Sequence, residues 1–415
     1  MNTEKIRGFA QGILDELGPA PPLILPPTIP VFTTPDALDR ALSFASAGDT
    51  LAVEPLLIYP GPLRLDKGIT LRSTFSQPGR MLTDTPAPKF LGGMTLGDGV
   101  TVYGLEVTNA RNVHTDIVTI SGKDVWCDRL RILGDPQLGA KRGIAANGGG
   151  SVAIMRCYID DCFQSYPGDD SQAICAWDML PGLLIEDCRL SGGSETIMIG
   201  GADSSSEARS PREITIRKNV ITKNPAWQAL PIGVKNCLEL KNARNVTIED
   251  NDILYSWGGH GQDGYLVMFT VRNQGGKAPW SSVQDVLFGG NRLAHGAAAC
   301  NILGRDNNQP SEPMARVQIT QNEFTDIDPV KYTGSKKMNQ IDGGPGDLTI
   351  RANRFTGAGM TSVVYFAGLP MCENCNIDGN TWPKTRYSVF GTNATVGQAF
   401  KQYVHTGTLG PNTEI

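Results

Sequence analysis

One six-residue phrase recurs eleven times along this chain: an apolar residue, two positions later a second that is usually apolar, and three after that a Thr, Leu, Cys or Asn. The first copy is Ile69-Thr-Leu-Arg-Ser-Thr74 and the last Cys375-Asn-Ile-Asp-Gly-Asn380. The phrases end at Thr74, Leu105, Leu130, Cys157, Cys188, Asn219, Asn251, Asn291, Asn322, Asn353 and Asn380, in steps of 31, 25, 27, 31, 31, 32, 40, 31, 31 and 27 residues. A period in this range marks a repeat architecture, which grows by adding rungs along an axis and not by swelling a central core. On this ground the two or three globular domains that 415 residues would otherwise suggest are set aside.

Alternation inside the repeat specifies strands. In Val246-Thr-Ile-Glu-Asp-Asn251, Val246 and Ile248 face in, Thr247 and Glu249 face out, and a turn near Asp250 returns Asn251 to the inside. A further apolar position follows each phrase, as at Ile132, Ile159, Ile253, Phe324 and Trp382, and opens a second short strand. A third precedes each phrase, as at Gln172–Ala176, Cys237–Lys241, Tyr265–Val271 and Ser362–Phe366. Three strands per turn, all running one way, describe an all-β solenoid, a parallel β-helix of about eleven rungs. The handedness of parallel crossovers makes it right-handed. The 48 Gly and 27 Pro suit a fold with several turns per rung.

Rungs of such a coil lie ~4.8 Å apart, close enough for identical carboxamides to hydrogen-bond up and down a stack. Asn219 to Asn380 should therefore form a buried amide column, with Cys157, Cys188 and leucines giving an apolar column before it. Asn also tolerates a left-handed backbone, which the tight turn is expected to need.

The ends read differently. Residues 1–35 form an N-terminal segment with an amphipathic helix, Thr3–Leu17, whose stripe is Ile6, Phe9, Ala10, Ile13, Leu14 and Leu17. Seven prolines follow between Pro19 and Pro35, a stiff linker that suits either an anchor docking on a partner or a segment folding back on the solenoid. Residues 36–48 should be a capping helix with Thr34 as N-cap and Pro35 at its first position. The coil then spans 49–385, opening at Thr50–Val53, and 386–415 should cap the far end, since raw strand edges invite pairing with other chains.

Charge is nearly balanced, 37 Lys plus Arg against 42 Asp plus Glu, so it gives no argument for nucleic acid or membrane insertion. No transmembrane run is present, and Met1–Gly18 carries Glu4, Asp15 and Glu16 where a secretory leader would be apolar. The nine Cys fall largely at apolar repeat positions and read as buried thiols, with Cys372 and Cys375 a lone C-x-x-C.

Phrase, period and Asn stack together resemble the pectate-lyase-like right-handed β-helix superfamily over roughly Thr50 to Trp382. That superfamily includes polysaccharide lyases, glycoside hydrolases, uronan epimerases and phage tailspike proteins. The resemblance implies a carbohydrate partner along one exposed sheet or in a groove between longer loops. It does not single out an activity, because one fold hosts many.

Candidate residues come from the 40-residue step and its neighbours. Counting outward positions on successive strands places Glu239, Lys241, Arg272 and Arg305 in one charged strip, with the loop Trp257–Asp263 above it and His260 and Asp263 closing over. Glu239, Lys241 and Arg272 are the candidate catalytic set: a uronan-cleaving site needs a cation for the carboxylate, a base and an acid. A solvated ladder of opposite charges is the competing reading. Tyr255, Trp257 and Trp280 are candidates for stacking on sugar rings, with His260, Asp263 and Arg305 completing the substrate-binding set. No cofactor is assigned; Asp160-Asp161 and Asp169-Asp170 flank the oxygen-rich loop where a Ca²⁺ ion would sit.

Three functions fit. The first is a phage virion protein of tailspike, receptor-binding or decoration type, docked to other virion proteins through its N-terminal segment and outside the cell after lysis. The second is a polysaccharide lyase or glycoside hydrolase acting on an acidic polysaccharide, and the third a bacterial surface adhesion module. A homotrimer is compatible with an outer face bearing Met268 and Val271.

Overall fold

The computed structural model describes residues 29–75, 79–81, 83–109, 114–164 and 170–415. The expected helix over Thr3–Leu17 lies outside them. Three long sheets of 14, 12 and 13 strands, parallel throughout, wind into a right-handed β-helix. Each full turn places one strand in each sheet. The recurring phrases build the fourteen-stranded sheet, the apolar positions after them the thirteen-stranded sheet, and the strands before them the twelve-stranded sheet.

Register follows the phrase. Val246 pairs with Val286 and Ile248 with Phe288, and the next rung continues with Val317 and Ile319. All six are buried in one continuous lumen cluster that runs from Leu38 to Val404. On the outer face Thr247 and Glu249 stack on Leu287 and Gly289; Thr247 and Leu287 are nevertheless buried, and Glu249 is half-buried. The period-2 alternation thus fixes which face is core at every rung, since a one-residue slip would turn each apolar set outward.

The amide column forms as expected. Asn251 Oδ1 accepts from the backbone N–H and from Nδ2 of Asn219 at 3.0 and 2.9 Å, and Asn291 Oδ1 does the same for Asn251 at 3.0 and 2.9 Å. Asn322, Asn353 and Asn380 repeat the pattern. Each Nδ2 also donates to a lumen carbonyl, as Asn291 does to Ile248 at 3.0 Å. At the other end Cys188 N–H donates to Asn219 Oδ1 at 2.9 Å, and above it Cys157 N–H meets only Cys188 Sγ, at 3.4 Å. One expectation is corrected: the left-handed residue is not the Asn but the one before it, Lys218, Asp250, Gln321 or Ala352, with φ of 56, 56, 57 and 55°. Asn is there for its hydrogen bonds.

Both ends carry more strand than the phrases show. Val31–Phe32, within the proline-rich segment, pairs with Ala52–Val53 and so extends the fourteen-stranded sheet. The helix Pro35–Phe44 follows, capped by Thr34 and burying Leu38. Lys67 Nζ ties its last turn to the coil by donating to the carbonyls of Leu42 and Ser43 at 3.0 and 3.1 Å. At the far end, residues 386–415 add a further turn. Tyr387–Gly391, Gly407–Leu409 and Thr413–Glu414 each pair with the strand one rung earlier, and Asn412 Oδ1 accepts from Asn380 Nδ2 at 2.9 Å. This turn hid from the phrase because Gly407 stands at its first apolar position and the helix Ala399–Tyr403 interrupts it.

Candidate functional site

The outer face of the twelve-stranded sheet carries an open cleft of about 340 Å³. Its floor comes from four consecutive strands, Asn236–Leu240, Tyr265–Thr270, Ala298–Leu303 and Lys337–Asp342. Alternation sends Leu238, Val267, Cys300 and Ile302 into the lumen. It leaves Glu239, Met268, Asn301 and Gln340 stacked in register along the floor, with Thr270, Leu303 and Asp342 beside them. Lys235 and Gln262, which precede these strands, and Asn236, the first residue of one, form one wall; residues that follow the strands, Lys241, Arg272 and Asn307, form the other.

Each cation of the cleft is paired with a carboxylate. Lys241 Nζ lies 3.5 Å from Glu239 Oε1. Glu239, only 3% exposed, also accepts from Asn236 Nδ2 and Thr270 Oγ1, both at 3.1 Å. Arg272 Nη1 donates to Asp306 Oδ1 at 3.0 Å and to Asn307 Oδ1 at 2.8 Å. Burial alone would raise the Asp306 carboxyl, but backbone N–H groups of Asn308 and Asn273 together with Arg272 hold it below the usual range, so it stays a carboxylate. Lys235 donates to Asp170 and stands 3.2 Å from Glu195 Oε1. Burial works against its charge, yet Glu195 and Asp170 outweigh it and keep the ammonium protonated well above the ordinary lysine range. Asp342 differs from the others. Its carboxylate accepts the Gly343 N–H at 2.7 Å, and among the described residues no cation pairs with it.

Glu239, Lys241 and Arg272, found by counting strand positions, are therefore brought together. The other six candidates are not. Trp257 is buried, 8% exposed, in a side cluster with Phe163, Trp227, Val234 and Tyr332, so it offers no ring face to a sugar. Tyr255 packs against the same cluster and stacks on His295 at 4.6 Å. Trp280 is half-buried outside the cleft, its Nε1 donating to Ser204 Oγ at 2.9 Å. His260 and Asp263 are exposed on their loop but do not reach the cleft; Gln262 between them does. Arg305 points to solvent, and its neighbour Asp306 makes the contact that matters. Val271, expected on the outer face, is fully buried in the lumen, and Met268 is cleft floor.

The reasons for the gains and losses are physical. Strand parity predicts which side a residue takes and works for strand-borne groups; one more rung of the same counting reaches Gln340 and Asp342. It says nothing about loops, where Trp257 could gain more by joining an apolar cluster than by facing water. Lys235 and Asn236 sit where a loop becomes a strand, and no local pattern marks them.

The acidic loop divides. Asp169 lies outside the described residues, while Asp170 is engaged by Lys235. Burial, then Asp160 and Asp135, push the Asp161 carboxyl up to about 6. Among the described residues no group of three or more His, Cys, Asp or Glu is arranged to hold a metal ion.

No protein-family model matches the sequence, and no curated protein matches it. Solved structures do. The exopolygalacturonase of Thermotoga maritima superposes with a TM-score of 0.55 at 12% identity, over 94% of this chain and 96% of that one. The Dettilon tailspike protein gives 0.51 at 13%, over 86% of this chain and 64% of the tailspike, so this chain spans a little under two thirds of its length. The catalytic unit of a GH87 α-1,3-glucanase from Streptomyces thermodiastaticus gives 0.50 at 13%, over 95% and 70%. At such identities the similarity is one of architecture alone: the chain has a right-handed parallel β-helix fold.

Proposed function

We propose that the protein binds an acidic polysaccharide in the cleft on its twelve-stranded sheet. The observation that carries this reading is the set of three cations, Lys235, Lys241 and Arg272, each held by a carboxylate and all lining one polar cleft. A cation already held by a counter-charge is pre-positioned, so little side-chain entropy is lost when a sugar carboxylate arrives. Its partial neutralisation also keeps the site from being a general anion trap. The amides of Gln262, Asn301, Asn307 and Gln340 supply paired donors and acceptors suited to sugar hydroxyls. A polyphosphate chain would find no continuous basic stripe here, in keeping with the net charge of −5.

The experiment is calorimetric titration with polygalacturonate, a probe rich in carboxylates and hydroxyls. Wild-type protein should bind it, and Arg272→Ala and Lys241→Ala should each weaken binding by about tenfold, as expected for the loss of one charge-assisted contact. Equal affinity in the variants would remove the cleft from consideration.

Cleavage of the bound chain is a second reading, favoured by one observation. Asp342 shares the cleft with Glu239 and has no cationic partner among the described residues, which leaves its carboxylate available to move a proton. Release of reducing ends or of unsaturated product, lost in Asp342→Asn with binding retained, separates an enzyme from a pure binder.

The finer form of the proposal is a virion protein of tailspike or decoration type, with the cleft turned toward the host's surface glycan. Its support is the architecture shared with the Dettilon tailspike protein and the apolar stripe of Ile6, Phe9, Ile13, Leu14 and Leu17. A protein of this kind co-sediments with particles, and deletion of residues 1–30 releases it while the coil stays folded.

A further inference from the structure

The row of side chains that floors the cleft does not stop at its edge. Glu239, Met268, Asn301 and Gln340 continue in register onto Tyr365 and then Phe390, on the last two strands of the twelve-stranded sheet, Ser362–Phe366 and Tyr387–Gly391. Val364 and Phe366 take the lumen side, which leaves Tyr365 on the outer face. Phe390 sits between two other rings. Tyr387 stacks on it with centroids 4.4 Å apart and planes at 14°, and Tyr365 lies 6.2 Å away at 53°. All three rings are half-buried, so each keeps apolar surface toward water. The last rungs of the other two sheets are unlike this. They turn Thr349, Asn376 and Thr408 outward on one sheet and Arg354, Thr381 and Thr413 on the other.

Two cations are held on these rings. Lys337 Nζ lies 4.3 Å from the centroid of Tyr365 and donates to Gln340 Oε1 at 3.2 Å, which joins it to the cleft. The guanidinium carbon of Arg386 lies 5.1 Å from the centroid of Tyr387. Among the described residues neither cation pairs with a carboxylate, unlike Lys235, Lys241 and Arg272. An aromatic face holds a cation through its quadrupole and brings no net negative charge. Lys337 and Arg386 are thus positioned and still keep their full attraction for an anion.

We propose that the polysaccharide site runs on past the cleft along this strip, with Lys337 and Arg386 each taking a further sugar carboxylate and the rings of Tyr365 and Phe390 meeting apolar C–H surface of the sugars. A uronic acid residue presents both kinds of surface, a carboxylate at its edge and C–H groups on its face. The strip offers both on neighbouring rungs. From the strand of Glu239 to that of Phe390 the sheet counts six strands, five steps of ~4.8 Å, so the extended site is about 24 Å long. The ligand assigned to the strip rests on the reading of the cleft as a site for acidic polysaccharide.

The test is the dependence of affinity on chain length, measured on the full chain by calorimetry with trigalacturonate and hexagalacturonate. A sugar residue is about as long as one rung step, so the trimer fits within the cleft and the hexamer reaches the rings. Wild type should bind the hexamer about a hundredfold more tightly, two charge-assisted contacts at about tenfold each. Arg386→Ala, a change at an exposed side chain, should weaken hexamer binding about tenfold, and Arg386→Lys should restore part of it. Lys337→Met keeps the aliphatic stem over Tyr365 and should likewise cost about tenfold. Equal affinity of wild type for the two oligomers overturns the proposal, and so does an Arg386→Ala protein that holds the hexamer as wild type does. Trimer binding that is lost in Arg272→Ala, without any preference for the hexamer, sinks the strip and leaves the cleft standing. Hexamer binding that survives Arg272→Ala and Lys241→Ala but falls in Arg386→Ala does the reverse. Binding of neither oligomer overturns both readings.

Discussion

Lys223 shows how a single residue can be decisive and still invisible to pattern reading. It follows a short strand, where a lysine ordinarily reaches water, yet it is fully buried. Its Nζ donates to the carbonyls of Gly192, Gly193 and Ser194 at 2.9, 2.7 and 3.1 Å, pinning the turn that leads into Glu195. Burial lowers its pKa from 10.5 to about 8, against the opposing influence of Cys237 and Glu195. Between about pH 8 and the unfolded value of 10.5 the unfolded chain therefore holds the extra proton. Stability on this account should rise with pH across that window, by up to about 1.4 kcal/mol per pH unit. Urea midpoints measured across it should show the rise in wild type and a flatter profile in Lys223→Met. The same scale explains the candidate stackers. Trp257 and Tyr255 were legible as aromatic residues in a long insertion, but whether an aromatic ring faces water or a neighbouring loop depends on contacts distant in sequence, such as Trp227 and Tyr332.

At the scale of the element, the turn that closes each phrase was read nearly whole. Residue type, burial and partner of Asn219 through Asn380 all followed from a carboxamide recurring at the rung spacing. The backbone detail did not, because the left-handed residue ahead of each Asn is glycine at Gly290 and Gly379 but Lys218, Asp250, Gln321 and Ala352 in the other rungs, so composition marks it in only two of the six. The column makes a quantitative statement. Asn291→Ala removes the acceptor of two donors on Asn251 and one side-chain donor to the carbonyl of Ile248. It should cost about 2–5 kcal/mol of unfolding free energy, two buried orphaned donors at the usual penalty. Asn412→Ala, on the last and part-buried step, should cost clearly less. Chemical denaturation of the two variants side by side checks the order.

For the whole molecule, the coil was legible because its information is redundant: each rung restates the period, and one failed copy changes nothing. The further turn through 386–415 escaped because its single copy is degenerate at Gly407. The cleft was legible where strand parity carries, at Glu239 and just past the strand ends at Lys241 and Arg272, while the remaining wall residues Lys235, Gln262 and Asn307 are placed by chain that obeys no alternation. Position along the axis then has a consequence of its own. The inner corner changes from sulfur to amide between Cys188 and Asn219, one rung ahead of the strand that carries Glu239. An array whose rungs touch only their neighbours comes apart where neighbours grip least, and thiols grip less than amides. Heat or a protease would thus erode the front of this molecule first and stop at that seam, leaving a shortened remnant that still carries the Glu239 cleft.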